Sequence, residues 1–344
     1  MKVVIRIAAV MIVVAAAVIA WMHFRDTTAR SVETPAKPTA ISLLLNGPFD
    51  PQHAGEIVAA RSGLFEHEGL HVDLKSGGNG PDPIASVVNG TDTFGVTDSV
   101  TFLLARSNGQ PIVAFAAGLL ESPVVFYALE KSRIRSPRDF VGKRVGRQAG
   151  KDTAIIYDAL LKNIGMSRSD VREIARDTEL AALLNDKVDV MPGHVGKEAF
   201  VLHQKGIPYN VIRVSDYGIH VPGTVYFTTE KFIRDHPSVV QRFLHAMIAG
   251  WNSAYADTSK SVALILSTGE QALTPEQLQF ELAAQREFVR PPSRRVAEFD
   301  DLQWKQLRLI LISERLIDDS IDMSNAVNYD ILKEAYRKPI SFGN

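Results

Sequence analysis

The 344-residue chain contains no cysteine and no cluster of basic residues that would favour binding to a nucleic acid. Without cysteine it cannot form disulfide bonds, cysteine-ligated zinc sites, iron–sulfur clusters or a thiol nucleophile, and it has no lipid-modified cysteine as an anchor. The net charge is −1 at pH 7, and no basic stripe runs along the sequence. Nucleic acid is therefore not expected as a partner. The length is sufficient for two domains.

Long apolar runs are also missing, apart from one near the N-terminus. Residues 7–21 carry no charge and follow Lys2 and Arg6. A basic start before a short apolar run is typical of a secretory signal peptide, and about 15 residues are few for a membrane span, which takes about 20. We predict that residues 1–25 form a signal peptide, or alternatively an uncleaved anchor, and that residues 26–40 form a polar linker. In either case the rest of the chain is predicted to be exported.

The segment HEGLH at residues 67–71 matches the His-Glu-x-x-His motif of zinc peptidases, which requires both histidines on one face of a helix. Gly69 disfavours a helix there, at a cost of about 1 kcal/mol relative to alanine. Residues 71–75 alternate polar and apolar as a strand does. No glutamate that could serve as a third ligand occurs between Glu68 and Glu121. We predict a helix end, a turn and a strand, and no metal site.

From residue 41 onward, short apolar segments typical of strands alternate with helical segments of about ten residues. This alternation predicts a parallel sheet covered by helices on both faces. A second series begins near residue 134, and after about residue 230 the sequence is mostly helical. The segments SPVVFYALEKSRI (122–134) and GTVYFTTEKFI (223–233) resemble each other and bracket the second series. They are predicted to be either two ordinary strands or the two crossings between two lobes.

The second alternative divides the chain into two α/β lobes. Lobe 1 would comprise residues 41–125 and 228–344, and lobe 2 residues 126–227. Each lobe is predicted to be a mostly parallel sheet flanked by helices. Ligands of open α/β sheets bind outside the carboxyl ends of the strands, so the binding site is expected in the loops that follow the strands of both lobes.

These loops supply candidate binding residues. Helix N-termini that follow the strands present free N–H groups and the positive end of the helix dipole. Each candidate could instead be a helix cap, a turn residue or a solvated charge. The predicted ligand-binding set is Asn46, Asp98, Ser99, Gly150, Lys151, Asp152, Thr153, His194 and Glu198. No catalytic residue, metal or cofactor is predicted.

Five short motifs occur in a fixed order along the chain. They are HAGEIVAARSGLFEHEGL (53–70), VNGTDTFG (88–95), ARSNGQPI (105–112), IRSPRDFVGKRVG (134–146) and DKVD (186–189). In this order they resemble the periplasmic substrate-binding proteins for thiamine pyrimidine precursors, nitrate, sulfonates, taurine and related molecules. The last motif begins with aspartate where that family usually has glycine. No single motif is decisive, but the shared order makes the resemblance specific.

The resemblance covers about residues 41–235 and implies a two-lobed periplasmic-binding-protein (Venus flytrap) fold. It implies a monomeric protein that captures a small organic ligand between its lobes and delivers it to the permease of an ABC importer in the inner membrane. It also adds His53 to the predicted ligand-binding residues. A pyrimidine and an anion such as a sulfonate or nitrate are both open as ligands. The acidic candidates outnumber the basic ones and favour a neutral or cationic aromatic ligand.

Two other functions stay open. One is a ligand sensor tethered to the membrane by residues 7–21. The other is enzymatic, because a eukaryotic branch of the family makes the thiamine pyrimidine. That branch is associated with a cysteine-rich iron site, and this chain has no cysteine. We therefore predict a binding protein and not an enzyme.

Overall fold

Strands and helices alternate along the chain in the computed structural model, which describes residues 38–78, 80–147, 152–175, 179–269, 273–320 and 325–337. The predicted signal peptide and nearly all of the predicted linker lie outside these residues. Among the residues described, no helix is both long enough and apolar enough to cross a membrane.

The described elements follow the predicted alternation and become helical after the last strand. The strands are β1 (Thr39–Leu44), β2 (Leu70–Lys75), β3 (Phe94–Asp98), β4 (Ile112–Ala117), β5 (Val124–Leu129), β6 (Arg144–Arg147), β7 (Arg172–Ala175), β8 (Met191–His194), β9 (Tyr209–Arg213) and β10 (Thr224–Thr229). The helices are α1 (Ala54–Arg61), α2 (Leu64–His67), α3 (Pro83–Val88), α4 (Ser99–Ser107), α5 (Asp152–Asn163), α6 (Leu180–Leu184), α7 (Lys197–Gln204), α8 (Glu230–Asp235), α9 (Pro237–Ala256), α10 (Thr258–Leu266), α11 (Pro275–Val289), α12 (Asp301–Ser313) and α13 (Tyr329–Arg337).

Five strands form the first sheet, in the order β2-β1-β3-β10-β4. β1 is parallel to both β2 and β3, whereas β10 is antiparallel to β3 and β4. Four of the five strands therefore run in the same direction, which agrees with the predicted mostly parallel sheet. β3 and β4 are buried almost throughout, as expected for strands covered on both faces.

The remaining strands form a three-stranded sheet, β8-β5-β9, and a two-stranded sheet, β6-β7. An isolated bridge joins the two, and together they are called the second sheet. β5 is antiparallel to its neighbours β8 and β9, and β6 is parallel to β7. A parallel bridge between Val145 and Val190 joins β6 to the chain that enters β8. The resulting order is β7-β6-β8-β5-β9, again with a single strand opposed to the other four. The two segments whose sequences resemble each other therefore hold the two opposed strands, β5 and β10.

Two chain segments, 119–123 and 219–223, lead into β5 and β10 and run side by side. The Ser122 N–H donates to the Val221 carbonyl at 2.9 Å, and the Gly223 N–H donates to the Leu119 carbonyl at 3.1 Å. A Cβ at Gly223 would lie 2.6 Å from the Leu119 Cβ, so only glycine permits this approach. The proposed lobe boundaries, at 125/126 and 227/228, fall inside the two strands that follow these segments and stay a prediction.

The longest described helix, α9, packs against α1 beside the first sheet. A Cβ at Gly55 would lie 2.3 Å from the Trp251 ring, and a Cβ at Gly250 would lie 2.2 Å from the Gly55 carbonyl oxygen. The two glycines therefore allow the helices to approach until the indole ring lies on the backbone of α1. This contact fixes the position of α1, which directly follows the loop after β1.

The HEGLH segment has the predicted helix–turn–strand structure. α2 ends at His67, Gly69 has a φ of +67°, and β2 begins at Leu70. His67 and His71 consequently lie on a helix end and in a strand, and cannot share one helix face as a zinc peptidase motif requires. Among the described residues, no three histidine, aspartate or glutamate side chains form a group that could hold a metal ion.

Candidate functional site

A cavity of about 380 Å³ lies at the carboxyl ends of strands from both sheets. This is the position where open α/β sheets bind their ligands, and the volume lies within the usual range of about 300–1,000 Å³ for small-molecule pockets. Its walls include side chains after β1, β3 and β8 and at the start of α5. The predicted residues that it brings together are Asn46, Asp98, Ser99, Asp152 and His194.

Asp98 and Ser99 are fixed where β3 turns into α4. The Asp98 Oδ1 accepts a hydrogen bond from the Thr101 N–H at 2.8 Å and so caps the helix. The Ser99 hydroxyl donates to the Pro222 carbonyl at 2.6 Å. The Ser99 N–H donates to the Gly223 carbonyl at 2.8 Å. Both residues thus have structural duties as well as positions in the cavity wall, and the crossing segment before β10 is bound to the same wall.

The cavity carries negative charge on both sides. Burial raises the pKa of Asp98, and the negative charge of Asp152 raises it further. The His194 Nε2 lies 4.0 Å from the Asp152 Oδ2, which is too far for a hydrogen bond. That nitrogen is buried and has no hydrogen-bond partner among the described residues. A ligand that enters here meets two carboxylates and a free imidazole nitrogen.

Several polar residues of the cavity wall were not among the predicted ligand-binding residues. Gln52, Thr101, Ser122 and Thr224 line the cavity together with the predicted residues. Ser122 lies in the crossing segment before β5, and Thr224 is the first residue of β10, so the internal sequence repeat was the signal that could have identified them. Gln52 lies in the turn Pro51–His53 that leads into α1, one residue before the predicted His53.

His53 and Glu198 were predicted to bind the ligand but do not line the cavity. His53 is buried with only 3% of its surface exposed, and its Nδ1 lies 3.5 Å from the Glu56 Oε1. Glu198 extends from α7 towards Gly193, and its Oε2 is buried without a hydrogen-bond partner in the described structure. Burial raises the pKa of Glu198. The sequence indicates that His53 and Glu198 lie near the start of a helix, but it does not indicate the direction in which their side chains point.

The three remaining predicted residues are Gly150, Lys151 and Thr153, which stand in the sequence just before or just after Asp152. Gly150 and Lys151 lie outside the described residues, next to the first residue of α5. Thr153 follows Asp152 on α5 and is half-buried, but it does not line the cavity. Within the described lining, no lysine, arginine, phenylalanine, tyrosine or tryptophan side chain is present. The apolar part of the wall comes from Val100, Ile156 and two prolines.

Comparison with known proteins identifies a family that matches this chain and several relatives of it. Residues 50–261, more than half of the chain, match the family described as NMT1/THI5 like. A riboflavin-binding protein of Chloroflexus aurantiacus is 27% identical over 74% of this chain and 72% of the relative. A formylaminopyrimidine-binding protein of Halalkalibacterium halodurans is 25% identical over 68% of this chain and 72% of the relative.

Other relatives carry an enzyme's name, and solved structures share the fold. A 4-amino-5-hydroxymethyl-2-methylpyrimidine phosphate synthase of Legionella pneumophila is 23% identical over 83% of this chain and 89% of the relative. The periplasmic aliphatic sulphonate-binding protein of Escherichia coli superposes with a TM-score of 0.69 at 17% identity, over 89% of this chain and 94% of that one. The α/β periplasmic-binding-protein fold expected from the sequence motifs is therefore confirmed.

Proposed function

Because the chain belongs to the NMT1/THI5-like family, we propose that it captures a small organic ligand and delivers it to an importer without changing it. The observation that carries this proposal is the cavity whose walls combine Asp98 after β3 with Asp152 and His194 beside the second sheet. A ligand in this cavity contacts groups that belong to both sheets. Relatives named as binding proteins for riboflavin and formylaminopyrimidine support the same function.

The crossing segments 119–123 and 219–223 are the proposed hinge. They form the two covalent links between the sheets, and their mutual hydrogen bonds keep them aligned. A ligand that contacts both sides binds the closed arrangement more tightly than the open one and therefore shifts the population towards closure. The closed form would dock, as a monomer, on the permease of an ABC importer in the inner membrane.

The proposed ligand is a neutral or cationic ring that carries N–H donors, such as an aminopyrimidine. The carboxylates of Asp98 and Asp152 accept hydrogen bonds, and Asn46 and Gln52 can both donate and accept. A sulfonate or nitrate would face two carboxylates, with no arginine or lysine in the described lining to compensate. Coulomb repulsion in a partly desolvated cavity disfavours such anions.

Export remains part of the proposal. Residues 7–21 are proposed to direct the chain to the periplasm, either as a cleaved signal peptide or as a retained anchor. Solved neighbours described as periplasmic support this location. Mass spectrometry of the N-terminus of the protein isolated from its own cells distinguishes the two forms. A retained apolar segment would favour a tethered receptor or sensor over a freely diffusing transport protein.

Isothermal titration of the purified protein with four probes tests the proposed function. The probes are 4-amino-5-hydroxymethyl-2-methylpyrimidine, riboflavin, an alkanesulfonate and nitrate. We expect the aminopyrimidine to bind at a one-to-one ratio and to be recovered unchanged. Binding of the alkanesulfonate alone would overturn the ligand class, and conversion of the pyrimidine to another compound would overturn the binding-only function. Failure of all four probes to bind would overturn the proposed ligand set.

A variant pair assigns the binding to the cavity. Asp152→Asn removes one carboxylate from the cavity wall and is expected to weaken aminopyrimidine binding at least tenfold, because a charge-assisted hydrogen bond becomes a neutral one. Asp330→Asn removes an exposed carboxylate on α13, remote from the cavity, and serves as the matched control. Equal affinities of the two variants would show that the probe binds elsewhere.

A further inference from the structure

A chain of buried polar side chains lies behind the cavity and has no role in the function proposed above. His53 and Glu56 have only 3% and 1% of their surface exposed. The Tyr226 hydroxyl donates to the Glu56 Oε1 at 2.6 Å, and the Trp251 Nε1–H donates to the Tyr226 oxygen at 3.0 Å. Since the Glu56 Oε1 also lies 3.5 Å from the His53 Nδ1, one carboxylate oxygen holds two partners in place.

The surroundings of His53 favour its charged form. Burial by itself lowers the pKa of His53, but the hydrogen bond and charge of Glu56, together with the charge of Asp50, raise it above its usual value. Asp50, Glu56, Tyr226 and Tyr255 are the titratable groups that act on this ring or its partner. Lys197 and Glu281 act on Asp50. A buried carboxylate without a cationic partner is costly, so a positive imidazole is the fitting partner for Glu56.

The imidazole ring lies against the turn that forms one wall of the cavity. A Cβ built on Gly47 would lie 3.5 Å from the His53 Nε2, so the ring faces that turn with room for no more than a methyl group between them. Asn46, just before Gly47, and Gln52, just before His53, both line the cavity. Any shift of the ring therefore moves residues of the cavity wall on both sides of it.

We propose that Glu56 holds His53 in its imidazolium form, and that this buried ion pair positions Asn46 and Gln52 in the cavity wall. His53 is then a positioning residue and does not itself contact the ligand. The proposed role in ligand affinity rests on the proposed function. The proposed charge state and the position of the turn do not, and they can be measured without a ligand.

The chain contains a matched pair remote from the cavity. The His245 Nδ1 lies 3.5 Å from the Glu68 Oε2, and both side chains are partly buried between α9 and the turn before β2. Glu56→Gln and Glu68→Gln therefore make the same chemical change to a His–Glu pair of the same separation. Only the first pair adjoins the cavity wall.

The first measurement is the imidazole nitrogen NMR spectrum of the full chain between pH 6 and pH 9. We expect His53 to titrate at a higher pH in the wild type than in Glu56→Gln. Amide hydrogen exchange of residues 46–52 is expected to accelerate at least tenfold in Glu56→Gln and to stay unchanged in Glu68→Gln. A His53 titration in the wild type at the same or a lower pH than in Glu56→Gln, or unchanged exchange in Glu56→Gln, would overturn the proposal.

Ligand affinity supplies the second measurement, with 4-amino-5-hydroxymethyl-2-methylpyrimidine as the probe. We expect at least tenfold weaker binding by Glu56→Gln and less than a twofold change in Glu68→Gln. If the wild type does not bind the probe, the proposed ligand fails, and the spectra and exchange rates still decide the ion pair. If Glu56→Gln does not fold, Tyr226→Phe replaces it. This variant removes only the hydroxyl that donates to the Glu56 Oε1. Among the described residues, that oxygen then has His53 as its one remaining partner, so the His53 titration is expected to shift to higher pH, whereas an unchanged titration would contradict the proposal.

Discussion

The first and second sheets follow one strand plan, with the opposed strand in the fourth of five positions, but their interiors are built differently. Under the first sheet, the Phe243 ring lies 4.6–6.1 Å from four other aromatic rings. In the second sheet, β7 has no buried residue and β9 has one. Beside β6, Arg147 forms ion pairs with Asp158 and Glu173. The same topology can therefore be stabilised mainly by aromatic packing or partly by buried charge.

The largest expected effect comes from Phe243→Ala, which would open a cavity among four aromatic rings. We expect a loss of about 5 kcal/mol in the free energy of unfolding, at the upper end of the range for buried phenylalanine. Phe126→Ala in β5 removes an equally buried ring with two aromatic neighbours, and is expected to cost about 3 kcal/mol. Urea denaturation measures both variants, and an equal or larger loss for Phe126→Ala would remove the contrast between the sheets.

Arg147→Ala tests the charged interior of the second sheet. The Arg147 Nη2 lies 2.5 Å from the Asp158 Oδ2, and the two side chains are 14% and 15% exposed. We expect a loss of about 3 kcal/mol, because Asp158 would be left buried with Arg168, at 4.0 Å, as its nearest cation in the described part of the chain. Lys131→Ala breaks a 2.7 Å pair with Asp186 whose side chains are 62% and 65% exposed, and is expected to cost less than about 1 kcal/mol. If urea denaturation showed similar losses for Arg147→Ala and Lys131→Ala, the ion pairs of Arg147 would not act as a buried charge network.

The pH dependence of stability tests the buried His53–Glu56 pair beside the first sheet. The pKa of His53 is raised above 6.5 in the folded protein, so its contribution is fully present below that pH and is lost as pH rises through the folded pKa. We expect the wild type to lose stability relative to Glu56→Gln between pH 6.5 and pH 9. Thermal unfolding at fixed ionic strength measures this difference. A constant difference across that interval would contradict the sign.

The smallest expected effect is a gain in stability from Asp98→Asn. Asparagine caps a helix as well as aspartate does. The change also removes the Asp98 carboxyl group, whose pKa is raised by burial and by the charge of Asp152. The free energy of unfolding at pH 7 should therefore rise by less than about 1 kcal/mol. The gain should vanish at low pH, where Asp98 is protonated, and binding of the aminopyrimidine should weaken. A loss of stability at pH 7 would show that the carboxylate has a partner that asparagine cannot replace.

The order of strands and helices could be predicted because it depends on local patterns. The alternation of apolar and helical segments predicted the succession of strands and helices from residue 41 onward, and the turn predicted at Gly69 lies between α2 and β2. The opposed direction of β5 and β10 could not be predicted, because strand direction depends on partners far along the chain, such as His194 for Val124 and Asp98 for Thr224. The sequence similarity between segments 122–134 and 223–233 indicated that the two share a role, but it did not indicate that their strands run antiparallel to their neighbours.

The candidate site was predictable to the extent that it depends on strand ends. Asn46, Asp98 and His194 follow β1, β3 and β8 or end them, and all three reach the cavity. His53 lies one residue after Gln52, yet the glutamine lines the cavity and the histidine points into the core. Both lie in the 3-10 turn Pro51–His53, where adjacent residues differ by about 120° in direction, and tertiary packing determines which of them faces inward.

The position of β10 in the middle of the first sheet has a consequence for biosynthesis. All strands of the second sheet lie between residues 124 and 213, so this sheet can assemble from one continuous stretch of nascent chain. The first sheet lacks the strand between β3 and β4 until residues 224–229 leave the ribosome. Until then, two inner strand edges have unpaired backbone groups that invite non-native pairing. The larger, aromatic core is therefore expected to form after the smaller, charged one, although its strands are synthesised first.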